Sequence, residues 1–185
     1  MFHLLGHMSQ QRHVSAGKRE KLRTIFTIDA TNQVCTAGGI LIGCRRNDTV
    51  FWLLQRKIRK NIGNYHIYED FGGGIESYDG HISKTIYREA SEETDNILSF
   101  DKLDEMYEIG TSTYTYVAAS KYLLSIVIFD YNKASKKLQD LFDIVELNTV
   151  EKGATLHWMC QIPIKLLNPR IQCQDNESWT LRSKL

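Results

Sequence analysis

Three consecutive glycines, Gly72-Gly73-Gly74, stand a few residues ahead of the stretch His81 to Leu98, which contains neither proline nor glycine. Within that stretch Ile82, Ile86 and Ala90 recur every four residues, the spacing of a helix with one apolar stripe. Glu93 falls on the line of the stripe, and Glu89 and Glu92 flank it, since positions three and four apart share a helix face. Like charges so spaced oppose one another by roughly 0.2–0.5 kcal/mol per pair, and a carboxylate drawn toward the core adds a desolvation penalty. A cation is needed to compensate. A hard divalent ion does so with oxygen ligands, and Mg²⁺ commonly uses a few carboxylates together with water and substrate phosphate. The plainer arrangement is a solvated acidic helix end with Arg88 paired to Glu92. The glycine triplet weighs against it, because residues without a Cβ weaken regular elements and are best explained by special dihedrals or by close approach of backbone to a ligand.

Taken together, Gly74 and the run Arg88-Glu89-Ala90-Ser91-Glu92-Glu93 resemble the signature of the Nudix hydrolases. That signature is a glycine, a spacer, a glutamate, a second spacer, then Arg-Glu, an aliphatic residue, any residue, Glu-Glu, any residue, glycine and an aliphatic. Here the upstream glutamate position falls on Gly80, with Asp79 just before it, and the final pair of positions holds Asp95 and Asn96. A single-residue insertion in the loop Glu76-Ser77-Tyr78-Asp79-Gly80 aligns the glycines and lets Asp79 stand for the missing acid. Asp95 suits a left-handed helix cap, since Asp and Asn follow Gly in tolerating that conformation.

The resemblance implies an α/β protein, an α/β/α sandwich with a mixed sheet and the signature as a loop-helix-loop between strands. It implies Mg²⁺- or Mn²⁺-dependent hydrolysis of a diphosphate bond in a nucleoside diphosphate linked to another moiety. Glu89, Glu92 and Glu93 match the catalytic and metal-binding positions, a backbone carbonyl at Gly73 is a further ligand, and Arg88 matches the arginine that orients the glutamates. Glu92 or Glu93 is the first choice of general base, with Glu146 and Glu151 as later acids. Arg56, Lys57 and Lys60, in the basic segment leading to the glycines, are placed to meet substrate phosphates; a solvated basic loop is the competing reading. Tyr65, Tyr68, Phe51, Trp52, Tyr114 and Trp158 offer stacking surfaces, although aromatics on strands more often belong to a core. Coenzyme A, nucleotides and capped RNA all remain open as substrates. The length leading into the glycines is similar to that of coenzyme A diphosphatases, but Phe71 stands where they carry proline. A catalytically weak module of the same fold that binds or senses a nucleotide is the second reading.

At 185 residues the chain is expected to form one domain from position 22 onward, preceded by a flexible polar arm over 1–21. A formal net charge of +1 exerts no overall pull on nucleic acid, so capped RNA would have to be held locally, by Arg12, Lys18, Arg19, Lys21 and Arg23. No apolar run approaches the ~20 residues that span a bilayer. The small-molecule diphosphate is therefore the expected partner, with no membrane involved and the oligomeric state open. Cys35, Cys44, Cys160 and Cys173 lack metal-type pairing and are read as reduced; the histidines show no zinc spacing. Ser183-Lys184-Leu185 reads as a peroxisomal address where it ends an exposed chain, and the cytoplasm is the alternative location.

Strands are expected over Leu22 to Ile28, Val34 to Cys44, Val50 to Arg56, Met106 to Val117, Tyr122 to Tyr131, Val145 to Val150 and Thr155 to Gln161. Arg46-Asn47-Asp48 should turn a hairpin, and Ala118-Ala119-Ser120-Lys121 a second. Gly38-Gly39 marks a bulge or close packing. A short helix is expected over Lys136 to Phe142, and a helical turn opening at Pro163.

Overall fold

The computed structural model describes residues 8–9, 25–28, 31–59, 65–143, 146–149 and 154–160. In chain order they form β1 (Met8–Ser9), β2 (Ile25–Ile28), β3 (Gln33–Cys35), β4 (Ala37–Arg46), β5 (Thr49–Arg59), β6 (Tyr65–Glu69), β7 (Phe71–Gly74), α1 (Ile82–Glu93), α2 (Phe100–Ile109), β8 (Thr111–Val117), β9 (Tyr122–Asp130), α3 (Lys136–Asp143), β10 (Glu146–Thr149) and β11 (Ala154–Cys160). The main sheet runs β10-β11-β5-β4-β9-β8, and β1, β2 and β3 form a small separate sheet. It is a mixed sheet, since β4 and β9 are parallel while their other neighbours run antiparallel. The expected α/β class is thus the observed one.

Turn chemistry sets the hairpin that starts this sheet. Asn47 and Asp48 have φ of 48° and 62°, and Arg46 faces Thr49 across the turn. Two left-handed central residues make a type I′ turn, whose twist matches that of the strands it joins. The fork that follows positions the site. Strand β5 pairs with β4 only as far as Leu53 opposite Ile42, then pairs with β6 from Gln55 opposite Glu69 onward. Beyond the split, β7 takes the vacated edge of β4, with Gly72 opposite Gly39 and Gly73 opposite Gly38.

Alternation along the strands divides the core in two. Ile40, Ile42, Leu53, Phe71, Leu123, Val127 and Phe129 form one cluster with Ile82, Ile86 and Ala90 of α1, Leu103 and Met106 of α2, and Leu138, Leu141 and Phe142 of α3. Leu41, Trp52, Leu54, Tyr122, Leu124 and Ile126 form a second on the opposite face. All three described helices contribute to the first cluster, while the second is built from strand residues alone.

Several expectations need correction. Met106 to Ile109 is the last turn of α2, not strand, because Leu103 and Met106 share a buried helical face. Gly110 then reverses the chain where a Cβ would press within 2.5 Å of the Met106 carbonyl and 2.8 Å of the Ile128 carbonyl. The expected strand Val34 to Cys44 is broken at Thr36, with β3 in the small sheet and β4 in the large one. The central helix stops at Glu93, short of Leu98. Positions 10–24, the turn at Pro163 and the C-terminal tripeptide lie outside the described residues, as does most of the expected arm. No helix among the described residues is long and apolar enough to cross a membrane.

Candidate active site

Four glycines thin the sheet where β4 meets β7. On one face, a Cβ at Gly38 would sit 2.9 Å from the Ile82 side chain, and one at Gly73 would overlap the Glu89 carboxylate. On the other face, a Cβ at either Gly39 or Gly72 would overlap the hydroxyl of Tyr122. Strand parity explains the division, since neighbouring residues point to opposite faces. Helix α1 therefore lies directly on the glycine backbone, and its carboxylates arrive there with it.

Glu93 reaches into the fork. Its residue is 3% exposed, and its Oε2 accepts from the Gly72 N–H at 2.9 Å, while the Gln55 amide donates to its main-chain carbonyl at 3.1 Å. A buried edge N–H with no partner would carry a penalty of about 1–3 kcal/mol, and the carboxylate removes it. Glu89, with its side chain 14% exposed, lies against Gly73; Glu92 points outward at 53%.

Arg88 ties these pieces to the loop. Its Nη1 donates to Glu89 at 2.9 Å and to Glu92 at 3.1 Å. Its Nη2 donates to the Gly74 carbonyl at 2.8 Å and to Asp79 at 3.0 Å, and its Nε to the other Asp79 oxygen at 2.9 Å. The bidentate bond to Asp79, helped by Glu89, raises the guanidinium further above its already high pKa against the effect of burial. Asp79 is fully buried and also accepts from the Thr85 hydroxyl and the Glu76 N–H. Burial pushes its carboxyl upward, but the hydrogen bonds from Arg88, Glu76 and Thr85 outweigh that and hold it below its ordinary value. Gly80, at φ +74°, makes the left-handed turn from this loop into the helix. Asp79 thus supplies the acid at the Arg88 contact, and Gly80 serves the backbone.

The helix end is closed locally. Asp95 and Asn96 take φ of 50° and 63°, the left-handed geometry anticipated for Asp95. The Asn96 N–H donates to the Ser91 carbonyl at 2.8 Å, and the Thr94 hydroxyl donates to that of Ala90 at 2.7 Å. These bonds satisfy carbonyls that a helix terminus leaves open.

The donor chemistry fits a hard divalent ion: the side chains offer carboxylate oxygens, and the cradle that a Cβ at Gly73 would fill brings backbone against Glu89. In the arrangement found, no three His, Cys, Asp or Glu side chains among the described residues are grouped closely enough to hold one. Arg88 is the cation that Glu89 and Glu92 face. Glu92 is half exposed and holds Arg88 through its Oε2.

Other residues singled out from the sequence are more dispersed. Arg56 alternates with Gln55 along β5 and so falls on the face of Leu54, away from Glu93. The side chain of Lys57, and Lys60 as a whole, lie outside the described residues. The side chains of Glu146, Tyr65 and Trp158, and Glu151 as a whole, are outside them too. Phe51 packs edge-on against Phe142, and Trp52 is core. Three residues at the site went unnoticed in the sequence: Gln55, Asp70 and Tyr122. The first had a signal, a polar side chain at an inward position next to Leu53-Leu54.

No protein-family model matches the chain, and neither does any curated protein. Among solved structures it is similar to the Ap4A hydrolase of C. elegans, with 12% identity over 60% of this chain and 86% of that one and a TM-score of 0.33. It is also similar to RenU, a Nudix hydrolase from M. smegmatis, with 18% identity over 68% of this chain and 70% of that one and a TM-score of 0.35.

Proposed function

We propose that this chain is a Nudix-type hydrolase that uses Mg²⁺ or Mn²⁺ to cleave a diphosphate bond in a nucleoside diphosphate linked to another group. The observation that carries the reading is the seating of Glu89 on the Gly73 backbone with Glu93 bound to Gly72 beside it. Acidic side chains held against bare backbone are poorly explained by packing, and well explained by a ligand that takes both carboxylate and carbonyl oxygen. Glu89, Glu92, Glu93 and the Gly73 carbonyl would hold the ion, which when bound lowers the pKa of water and neutralises charge on the leaving phosphate. Arg88 positions the glutamates through Nη1 and is itself oriented by Asp79. Lys57 and Lys60 are the proposed phosphate contacts. Arg56 is the weaker member of that set, because it faces the other side of β5.

A specific observation supports a second reading, a catalytically weak module of this fold that binds or senses a nucleotide: Arg88 already neutralises Glu89 and Glu92. Product formation separates the two. Wild type and Glu93→Gln are assayed with Mg²⁺ or Mn²⁺ on coenzyme A, ADP-ribose, nucleoside triphosphates, dinucleoside polyphosphates, an inositol pyrophosphate and capped RNA. Cleavage of one class that falls at least ~10²-fold in the variant supports the hydrolase. Gln keeps an oxygen to accept from Gly72, so the variant should fold as wild type does. Binding with no cleavage anywhere favours the sensing module.

A further inference from the structure

The neighbourhood of Gly72 holds a buried pair that the proposed chemistry does not use. Tyr122 opens β9 on the face opposite α1, is fully buried, and donates from its hydroxyl to Asp70 Oδ2 at 2.5 Å. Its hydroxyl lies over the adjoining backbones of Gly39 and Gly72, in the space that a Cβ at either would fill. Asp70, itself 4% exposed, immediately precedes β7, and its Oδ2 lies 2.8 Å from where a Cβ at Gly39 would sit. Burial of the ring, then the charges of Asp70, Glu93 and Glu89, keep the phenol protonated and hence a donor.

We propose that Tyr122 and Asp70 are positioning residues for Glu93: the phenol, anchored by Asp70, presses the Gly39–Gly72 pair from behind and fixes the direction of the Gly72 N–H that holds the Glu93 carboxylate. The proposal deepens the metal-dependent reading above and rests on it for the functional consequence only. Packing alone does not account for the arrangement. An aromatic ring filling the second core needs no hydroxyl, and burying one beside an aspartate is favourable only where the two bind each other. Gly72 joins the two faces, since its missing Cβ admits the phenol on one side while its N–H serves Glu93 at the fork.

Tyr122→Phe removes the hydroxyl and keeps the ring; Asp70→Asn keeps an acceptor but replaces a charge-assisted bond with one roughly half as strong. The first readout is hydrogen exchange of the Gly72 amide in ¹⁵N-labelled full-length protein, referenced to the core amides of Leu41 and Ile42. Gly72 exchange is expected to rise by ~10-fold or more in Tyr122→Phe and by less in Asp70→Asn, with the reference amides little changed. The second readout is Mn²⁺ affinity by titration, expected to weaken ~10–100-fold in Tyr122→Phe, as for other partners that orient a metal ligand. Gly72 exchange equal to wild type in either variant overturns the positioning role, and if Tyr122→Phe does not fold, Asp70→Asn decides alone. Wild type that binds no Mn²⁺ refutes the metal-dependent reading instead, while the amide measurement still judges the brace.

Discussion

Replacing Asp79 by alanine should destabilise the chain by an amount set by four hydrogen bonds. The fully buried carboxylate accepts from Arg88 Nε at 2.9 Å, Arg88 Nη2 at 3.0 Å, Thr85 Oγ1 at 2.8 Å and the Glu76 N–H at 2.9 Å. Removing one partner of a buried ion pair leaves the other charge uncompensated and costs about 3–5 kcal/mol. Arg88 would keep Glu89, Glu92 and the Gly74 carbonyl, and its side chain retains 11% exposure to water, which puts the expected loss at the low end, about 3 kcal/mol. For a chain of this size each kcal/mol corresponds to about 2–4 °C, so Tm should fall by about 6–12 °C. Asp79→Asn preserves the volume and one acceptor oxygen and should cost about 1–2 kcal/mol. Urea unfolding of the three proteins with a common m-value measures both steps. A loss below about 1 kcal/mol in Asp79→Ala, the scale of an exposed pair, would show that Asp79 does not anchor Arg88, and with it would go the assignment of Asp79 as the acid of the signature loop.

The same carboxyl predicts a pH dependence. Its folded pKa lies below the unfolded value of about 3.9, so its contribution is present above about pH 4 and is lost as pH falls through the folded value. Wild type should therefore lose more stability than Asp79→Asn on acidification below about pH 4, and parallel curves of urea midpoint against pH would refute this. Gly73→Ala forces the Glu89 carboxylate off the backbone, and should lower Mn²⁺ affinity ~10–100-fold with far-UV circular dichroism unchanged; an unaltered titration would remove Gly73 from the site. Gly39→Ala meets not only the Tyr122 hydroxyl but the Phe71 carbonyl at 2.5 Å, and backbone yields less than a carboxylate, so its cost should be about 1–3 kcal/mol or more in urea unfolding. Burial pushes the Cys35 thiol up to about 11, and burial with Asp130 and Asp143 nearby pushes Cys44 up to about 12. In a Cys160→Ser, Cys173→Ser background neither should react with a disulfide reagent at pH 8 until the protein unfolds.

What could be read in the chain was local. The stripe Ile82, Ile86, Ala90 and Glu93 lies within one helix, so a single period reveals both the buried face and the carboxylate on it. Asn47-Asp48 is equally local, because the φ values a tight hairpin needs restrict the residues that supply them. Met106 to Ile109 is too short for periods of two and 3.6 to be told apart; burial of Leu103 and Met106 against β9 makes it helix, and Tyr107 shares a hydrogen bond with Ser125 there. The fork was out of reach, since nothing in β5 says that its second half will leave β4 for β6. Tyr122 and Asp70 stand 52 positions apart, and no short window contains both.

Glycine was recognised as a sign of close approach, but the direction of approach depends on register. Once Gly38 faces Gly73 and Gly39 faces Gly72, parity sends one pair toward α1 and the other toward Tyr122. The sheet becomes a thin partition at that point, with carboxylates on one side and a phenol–aspartate pair on the other. Backbone is the only material between them. A substitution on the Tyr122 side therefore acts on the Glu93 carboxylate through the main chain of β7, while Gln55 separately holds the Glu93 main-chain carbonyl. Arg88 and Asp79 control Glu89 and Glu92 through the loop, and Arg88 also touches β7 at the Gly74 carbonyl. Because both routes meet on β7, Asp79→Asn combined with Tyr122→Phe should depart from additivity in urea unfolding by more than about 0.5 kcal/mol, and a sum within about 0.3–0.5 kcal/mol of the single effects would show that the strand does not link them.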